Sequence, residues 1–135
     1  MPPRGTLVKF FRFGLVGVAG FIVDSSVLML CMRTGLSGPY VSRIFSFAAA
    51  VTTTWLLNRR FTFASREAPG PEFLRFVAAN SLGALVNFAA YSVFILCQGA
   101  VGGRPVLGVA IGSLCGLAVN FCLSNWLVFR QRRAG

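Results

Sequence analysis

The chain has 135 residues, 56% of them hydrophobic, and a mean hydropathy of +0.73. A soluble domain of this length does not carry so much apolar surface, so the composition predicts an integral membrane protein. A net charge of +10 would by itself permit nucleic-acid binding, but the arginines lie at the ends of apolar stretches. This distribution argues against a nucleic-acid partner and favours the phosphate groups of membrane lipids.

Four apolar stretches are predicted to be membrane spans, each close to the ~20 residues that cross ~30 Å of hydrocarbon. They cover residues 13–32, 40–57, 76–96 and 106–128. The second is the weakest, because Arg43 falls in its first turn, and we expect that side chain to extend toward the lipid head groups. The predicted fold is all-α: an integral membrane four-helix bundle formed by residues 1–135 as a single domain.

The chain contains an internal duplication. The stretch at residues 55–63 resembles the stretch at 121–129, at an offset of 66 residues. The repeats, about 10–63 and 73–129, are each predicted to form a transmembrane hairpin. Three residues of the first half have counterparts 63 positions later: Arg12 corresponds to Arg75, Gly20 to Gly83 and Asp24 to Asn87.

The basic residues predict the orientation. On the positive-inside rule the side that carries most of them is cytoplasmic, so both termini are expected in the cytoplasm and the two hairpins are parallel repeats. Arg33, Arg43 and Arg104 fall on the outer side. The cytoplasmic group comprises Arg4, Lys9, Arg12, Arg59, Arg60, Arg66, Arg75, Arg130, Arg132 and Arg133.

Asp24 is the only carboxylate inside a predicted span, about 16 Å beyond Phe13 along the helix and near the bilayer midplane. Gly17 and Gly20 share its helical face. A charge at this depth is costly, which favours a role in contacting substrate or carrying a proton. The alternative is that Asp24 only hydrogen-bonds a neighbouring helix, or is protonated and inert.

The last span carries a row of small residues at four-residue steps, Gly108, Gly112 and Gly116, followed by Asn120 and Ser124. Such a row predicts close helix packing, either inside the bundle or between subunits. A homo-oligomer therefore stays open.

No catalytic or metal site is predicted. The chain has no histidine, and its four cysteines, Cys31, Cys97, Cys115 and Cys122, form no CxxC pair. No second intramembrane carboxylate is available to pair with Asp24. We therefore expect neither an enzyme nor a cofactor, and a disulfide between Cys31 and Cys97 stays open.

Arginines at the cytoplasmic helix ends are candidates for binding the phosphate of an anionic lipid, because a guanidinium group matches phosphate geometry. They are Arg12, Arg59, Arg60, Arg75 and Arg130. Their alternative role is to set topology alone. Arg12 and Arg75, each flanked by phenylalanines, are favoured by their repetition.

Four segments resemble the GtrA family: RFGLVGVAGFIVD at 12–24, TWLLNRRFTF at 54–63, FLRF at 73–76 and NFCLSNWLVF at 120–129. Together they cover nearly the whole chain. Two departures are Thr54-Trp55, where the family tends to have Asn-Phe, and Asn125, where it often has arginine. The positions that match the family pattern are Arg12, Gly17, Asp24, Asn58, Arg59, Arg60, Phe63, Arg75, Asn120 and Phe129.

The resemblance implies a multi-pass protein of the bacterial inner membrane that translocates polyprenyl-phosphate-linked sugars for cell-surface polysaccharide synthesis or O-antigen modification. On this hypothesis Arg12 and Arg75 share one lipid phosphate, with the Arg59-Arg60 pair beside them. The predicted substrate-binding set is Arg12, Asp24, Asn58, Arg59, Arg60, Arg75, Asn87 and Asn120.

Two other functions stay open from the sequence. The chain could be a non-transporting membrane anchor for a glycosyltransferase partner. It could also be a small proton-coupled exporter of cations, which would likewise use four spans and a carboxylate in the first. The excess of arginine on the cytoplasmic side favours anions over cations.

Overall fold

The computed structural model describes residues 4–35, 38–98 and 105–129, and every regular element in those ranges is a helix. The chain divides into two compact units, Met1–Arg66 and Glu67–Gly135. Each unit is a helical hairpin, and we call them hairpin 1 and hairpin 2. Four of the basic residues considered above, Arg104, Arg130, Arg132 and Arg133, lie outside the described ranges.

Hairpin 1 consists of α1 (Arg4–Thr34) and α2 (Pro39–Leu57). Gly35 follows α1 with φ +64°, a left-handed conformation that glycine adopts without strain at a helix C-terminus. Proline begins α2, where its missing N–H group leaves no helical hydrogen bond unmade. At its other end α2 continues directly into a π-helical segment, Asn58–Thr62, the first π segment.

Hairpin 2 consists of α3 (Pro69–Gln98) and α4 (Pro105–Leu123), and α4 continues into the second π segment, Ser124–Val128. Both α4 and the second π segment begin 66 residues after their counterparts in hairpin 1. The order of elements therefore repeats at the spacing that the sequence predicts. The three residues by which this offset exceeds 63 lie between Asn87 and Gly108.

The helices extend beyond the predicted spans. α1 begins at Arg4 rather than at residue 13, and α3 begins at Pro69 rather than at residue 76. Residues 4–12 and 69–75, which precede the predicted spans, are thus helical. Apolar length limits the part of a helix that lies in hydrocarbon, whereas the backbone hydrogen bonds continue into its polar flank.

In the described part of the chain, three helical stretches are long and apolar enough to cross a membrane: Gly5–Thr34, Pro69–Cys97 and Leu107–Val128. α2 is not one of them, since it carries Arg43 and three consecutive threonines. The chain is a membrane protein by these spans, and α2 was also the weakest span predicted from the sequence.

α3 and α4 pack closely enough that only glycine fits between their backbones. A Cβ atom on Gly112 would lie 2.6 Å from the carbonyl oxygen of Asn87, and one on Gly116 would lie 2.8 Å from that of Gly83. Ordinary van der Waals contact needs more room than this. The packing role predicted for the glycine row is confirmed, and the contact is made inside hairpin 2.

The same row recurs on α2 with bulkier residues. A Cβ atom on Gly20 of α1 would clash with the side chain of Thr54, just as one on Gly83 would clash with the amide of Asn120. These two contacts are related by the 63-residue and 66-residue offsets. The first ladder comprises Ser42, Ser46, Ala50, Thr54 and Asn58, and the second ladder comprises Gly108, Gly112, Gly116, Asn120 and Ser124.

The substitution Gly112→Ala should destabilise the protein by about 1–3 kcal/mol, because the added methyl group forces the two backbones apart. The measurement is the midpoint of thermal unfolding in detergent, followed by helical circular dichroism. Gly17→Ala is the matched control: it is also a helical glycine, and its Cβ atom would meet nothing within 4 Å. The control should be neutral or slightly stabilising, and an unchanged midpoint for Gly112→Ala would contradict the close contact.

Candidate functional site

Asp24 forms an ion pair with Arg43 across hairpin 1. Arg43 Nη1 lies 2.6 Å from Asp24 Oδ2, and the same nitrogen lies 3.5 Å from Ser46 Oγ of the first ladder. The side chain of Arg43 is nevertheless 56% exposed, so its extension toward the head groups stays a prediction, and its pairing with Asp24 is the new finding. A lone carboxylate in hydrocarbon is costly, and the guanidinium group offsets its charge.

The equivalent place in hairpin 2 is uncharged. Asn87 stands where hairpin 1 has Asp24, and Val109, 66 residues after Arg43, stands where it has the arginine. A Cβ atom on Gly112 would lie 2.8 Å from Asn87 Oδ1, and one on Gly116 would lie 2.9 Å from Asn87 Cβ. Asn87 thus fills the helix contact in hairpin 2, at the level where hairpin 1 holds its charge pair.

Three buried oxygen atoms make no hydrogen bond with any residue in the described ranges: Asp24 Oδ1, Asn120 Oδ1 and Ser124 Oγ. Asn120 and Ser124 lie one turn apart on the second ladder. A buried polar atom without a partner costs free energy. These atoms therefore mark places where a polar ligand group would bind favourably.

Each π segment ends at a buried phenylalanine that packs on the first helix of its hairpin. Phe63 N–H donates to Asn58 O at 2.9 Å, and Phe129 N–H donates to Ser124 O at 2.8 Å. π-Helical turns of this kind often occur at functional sites. The packed rings, with centroids 6.2 and 5.8 Å apart, are those of Phe13 with Phe63 and of Phe76 with Phe129.

Asn58 holds the first π segment together. Its side chain is buried, and its Oδ1 accepts a hydrogen bond from the Thr62 hydroxyl at 2.8 Å. Ser65 N–H then donates to Arg59 O at 2.9 Å, with Ala64 between them at φ +47°. The substrate-binding role of Asn58 stays a prediction, whereas these contacts give it a structural role.

Arg12 lines an apolar cavity of about 460 Å³ in hairpin 1. Its Nη1 donates to Phe61 O of the first π segment at 3.1 Å, which orients the guanidinium group, and its other N–H groups make no hydrogen bond with the described residues. We call this space the first cavity. It is lined by Arg12, Leu15, Val16 and Ala19 from α1 and by Leu57, Phe61 and Thr62 from the end of α2 and the π segment.

Arg75 lines the second cavity, a space of about 450 Å³ in hairpin 2. Within the described ranges, Arg75 makes no hydrogen bond or ion pair. Every lining residue is the counterpart, at an offset of 63 or 66, of a residue that lines the first cavity. The lining comprises Arg75, Ala78, Ala79 and Leu82 from α3 and Leu123, Leu127 and Val128 from the end of α4 and the π segment.

The Arg59-Arg60 pair lies on the first π segment but lines neither cavity. The guanidinium carbon of Arg59 is 5.7 Å from the centre of the Trp55 ring, and that of Arg60 is 5.7 Å from the centre of the Phe61 ring. Such cation–π contacts keep arginine at the aromatic fringe of a span.

Sequence reasoning missed three features of these sites: the partner of Asp24, the first ladder and the cavities. The first ladder could have been found by moving the glycine row 66 residues back, which lands on Ser42, Ser46 and Ala50. The pairing of Asp24 with Arg43 depends on the register between α1 and α2, which no sequence pattern indicates. The cavities depend on side-chain shape in the folded hairpins.

The chain matches the family described as "GtrA/DPMS, transmembrane domain" over residues 12–129. A search of curated proteins gave no match. The matched range begins at Arg12 of the first cavity and ends at Phe129 of the second phenylalanine pair, so it takes in both hairpins. With both hairpins inside that match, the chain belongs to the GtrA/DPMS transmembrane-domain family.

Proposed function

We propose that this protein translocates polyprenyl-phosphate-linked sugars across the bacterial inner membrane, for cell-surface polysaccharide synthesis or O-antigen modification. The observation that carries the proposal is a single arginine on an apolar cavity, present in each hairpin. Membership of the GtrA/DPMS family supports it.

An arginine beside an apolar cavity suits a lipid with a phosphate head and a hydrocarbon chain. The guanidinium group binds phosphate oxygens through two parallel N–H groups, which few other side chains can do. Apart from one threonine, the remaining lining residues are aliphatic or aromatic, and no acidic residue is among them. The cavity therefore complements both ends of an anionic lipid.

The sugar of such a lipid needs hydrogen-bond partners inside the membrane. Asp24 Oδ1 in hairpin 1 and Asn120 Oδ1 in hairpin 2 are buried acceptors that take no hydrogen bond from the described residues. Sugar hydroxyl groups would donate to them. We assign contact with the sugar to Asp24 in hairpin 1 and to Asn87 and Asn120 in hairpin 2. We assign contact with phosphate to Arg12, Arg59 and Arg60 in hairpin 1 and to Arg75 in hairpin 2.

The two competing functions predict different properties. A proton-coupled cation exporter needs a carboxylate open to its cation, whereas Asp24 is already paired with Arg43 at 2.6 Å. This contact favours a lipid substrate over a cation. A membrane anchor for a glycosyltransferase would keep the same fold but would move no lipid, so a transport measurement separates it from the proposal.

We further propose four spans with both termini in the cytoplasm. The Arg12–Phe61 contact means that the chain enters and leaves hairpin 1 at one end, and the Phe76–Phe129 pair supports the same for hairpin 2. Arg43 weakens the hydropathy of α2, but its pairing with Asp24 offsets the charge and makes a crossing acceptable. The arginine-rich ends then lie in the cytoplasm.

Single cysteines in a variant that lacks the four native ones should report opposite sides of the membrane for the two ends of α2. Tyr40→Cys should react with a membrane-impermeant maleimide applied from outside the inner membrane, since Tyr40 is 87% exposed. Ser65→Cys should react only after that membrane is opened. Reaction of both from the same side would show that α2 does not cross, and would sink the four-span topology.

Proteoliposomes that contain the wild-type protein should move a short-chain polyprenyl-phosphate sugar between leaflets faster than protein-free liposomes. Asp24→Asn should slow this movement by about tenfold, the loss expected for one charge-assisted hydrogen bond to a sugar hydroxyl. The measurement is the fraction of lipid-linked sugar accessible to a membrane-impermeant reagent over time, at matched protein content. If lipid moves no faster in liposomes with the wild-type protein than in empty ones, translocation is excluded, and the membrane-anchor function remains.

The control for Asp24→Asn is the double variant Asp24→Asn/Arg43→Gln. The single change leaves Arg43 without its partner, so it disturbs charge balance as well as the acceptor, whereas the double variant keeps the charge balanced. Both variants should be slow if Asp24 contacts the sugar. Recovery of the wild-type rate in the double variant would remove Asp24 from the mechanism and leave it a structural ion-pair partner.

A further inference from the structure

We propose that the chain binds two isoprenyl phosphate lipids at once, one in each hairpin, rather than one lipid held jointly by Arg12 and Arg75. The inference rests on the proposed function for the class of lipid. The number of binding sites, their location and their independence go beyond that proposed function.

The two cavities are equivalent sites, one in each repeat. Their volumes are about 460 and 450 Å³, and Arg12 of the first cavity corresponds to Arg75 of the second. All the other lining positions also correspond at the repeat offsets, although several of the residues differ. Two unrelated surface hollows would not be expected to share a complete set of equivalent positions.

One pair of lining positions carries the same two residue types in both cavities, in reversed order. Leu15 in the first cavity corresponds to Ala78 in the second, whereas Ala19 corresponds to Leu82. Each cavity thus has one leucine and one alanine a single helical turn apart, in opposite order. Loss of bulk at one position is compensated at the other, so both hairpins keep room for a similar occupant.

Each cavity is lined entirely by residues of its own hairpin. Arg12 donates one hydrogen bond, to Phe61 O, and Arg75 makes no hydrogen bond or ion pair with the described residues. A guanidinium group has five N–H donors, so each arginine keeps enough of them for a bidentate phosphate contact. Neither site needs the arginine of the other.

The occupant that fits is an isoprenyl phosphate. One arginine accompanies one apolar cavity, which matches one anionic head and one hydrocarbon chain. Leu15 and Phe61 of the first cavity are 70% and 58% exposed, and Leu82 and Leu127 of the second are 51% and 49% exposed. Both cavities therefore open at the surface of their hairpins, where the rest of a long chain can continue outward. A phospholipid would bring a second chain for which the cavity has no counterpart.

The test counts bound lipids by native mass spectrometry of the full-length protein released from detergent micelles. The probe is geranylgeranyl phosphate, with geranylgeraniol and phosphatidylglycerol as comparison ligands. We expect up to two geranylgeranyl phosphates per chain and weaker binding of both comparison ligands, because one lacks the phosphate and the other has two chains. A maximum of one per chain, or equal binding of phosphatidylglycerol, would overturn the inference.

Matched variants test each cavity separately. Ala19→Leu should weaken one of the two binding events by about tenfold by filling the first cavity, and adding Leu15→Ala should restore it by reproducing the order of the second. Ala78→Leu and its rescue by Leu82→Ala should do the same in hairpin 2. Rescue shows that a fill variant lost its cavity rather than its fold.

Control substitutions of the same size are Ala48→Leu and Ala84→Leu, at exposed positions that line neither cavity. Both should leave two lipids bound. Fill variants that still bind two lipids at wild-type strength would overturn the assignment of the sites. The transport measurement keeps the two proposals apart: two bound lipids without translocation would contradict the proposed function alone, and translocation with one bound lipid would contradict this inference alone.

Discussion

The close contact between the two helices of each hairpin is the constraint on which the other features depend. In hydrocarbon no hydrophobic effect drives apolar helices together, so close packing and polar contacts have to hold them. The two ladders supply that packing, because small or short residues at every fourth position let the backbones approach. The contact sets the register of each hairpin, and the register places Arg12 opposite Phe61.

The two hairpins make this contact with different chemistry. Hairpin 2 uses glycines that would meet the backbone of α3 if they carried a Cβ atom, whereas hairpin 1 uses serine and threonine side chains and carries an ion pair between its two helices. The two cavities are lined by equivalent positions, whereas the helix contacts deeper in the two hairpins differ in polarity. A lipid-linked sugar would meet the same arginine and apolar cavity in either hairpin, with a carboxylate deeper in one and amides deeper in the other.

Much of this arrangement can be predicted because it follows from the spacing of residues in the sequence. The paired arginines, the paired Gly20 and Gly83 and the glycine row of the last span can all be read from the sequence. The ion pair cannot, because it depends on how α1 and α2 align. The π segments depend on a shift of backbone hydrogen bonds by one residue, which no residue type in Asn58–Thr62 or Ser124–Val128 dictates. The cavities arise only once these features are in place.

The two helices of each hairpin are held by an equivalent contact in an equivalent register, and cysteine cross-linking tests this most directly. In a variant without native cysteines, the pair Gly20→Cys/Thr54→Cys brings Cβ atoms to 3.8 Å, within the range of a disulfide. Its counterpart is Gly83→Cys/Asn120→Cys. Under mild oxidation in membranes both pairs should cross-link within the chain, while Gly20→Cys combined with Leu57→Cys, three residues further along, should not. Cross-linking in one hairpin only, or equally at the shifted position, would contradict the shared register and with it the equivalence of the two cavities.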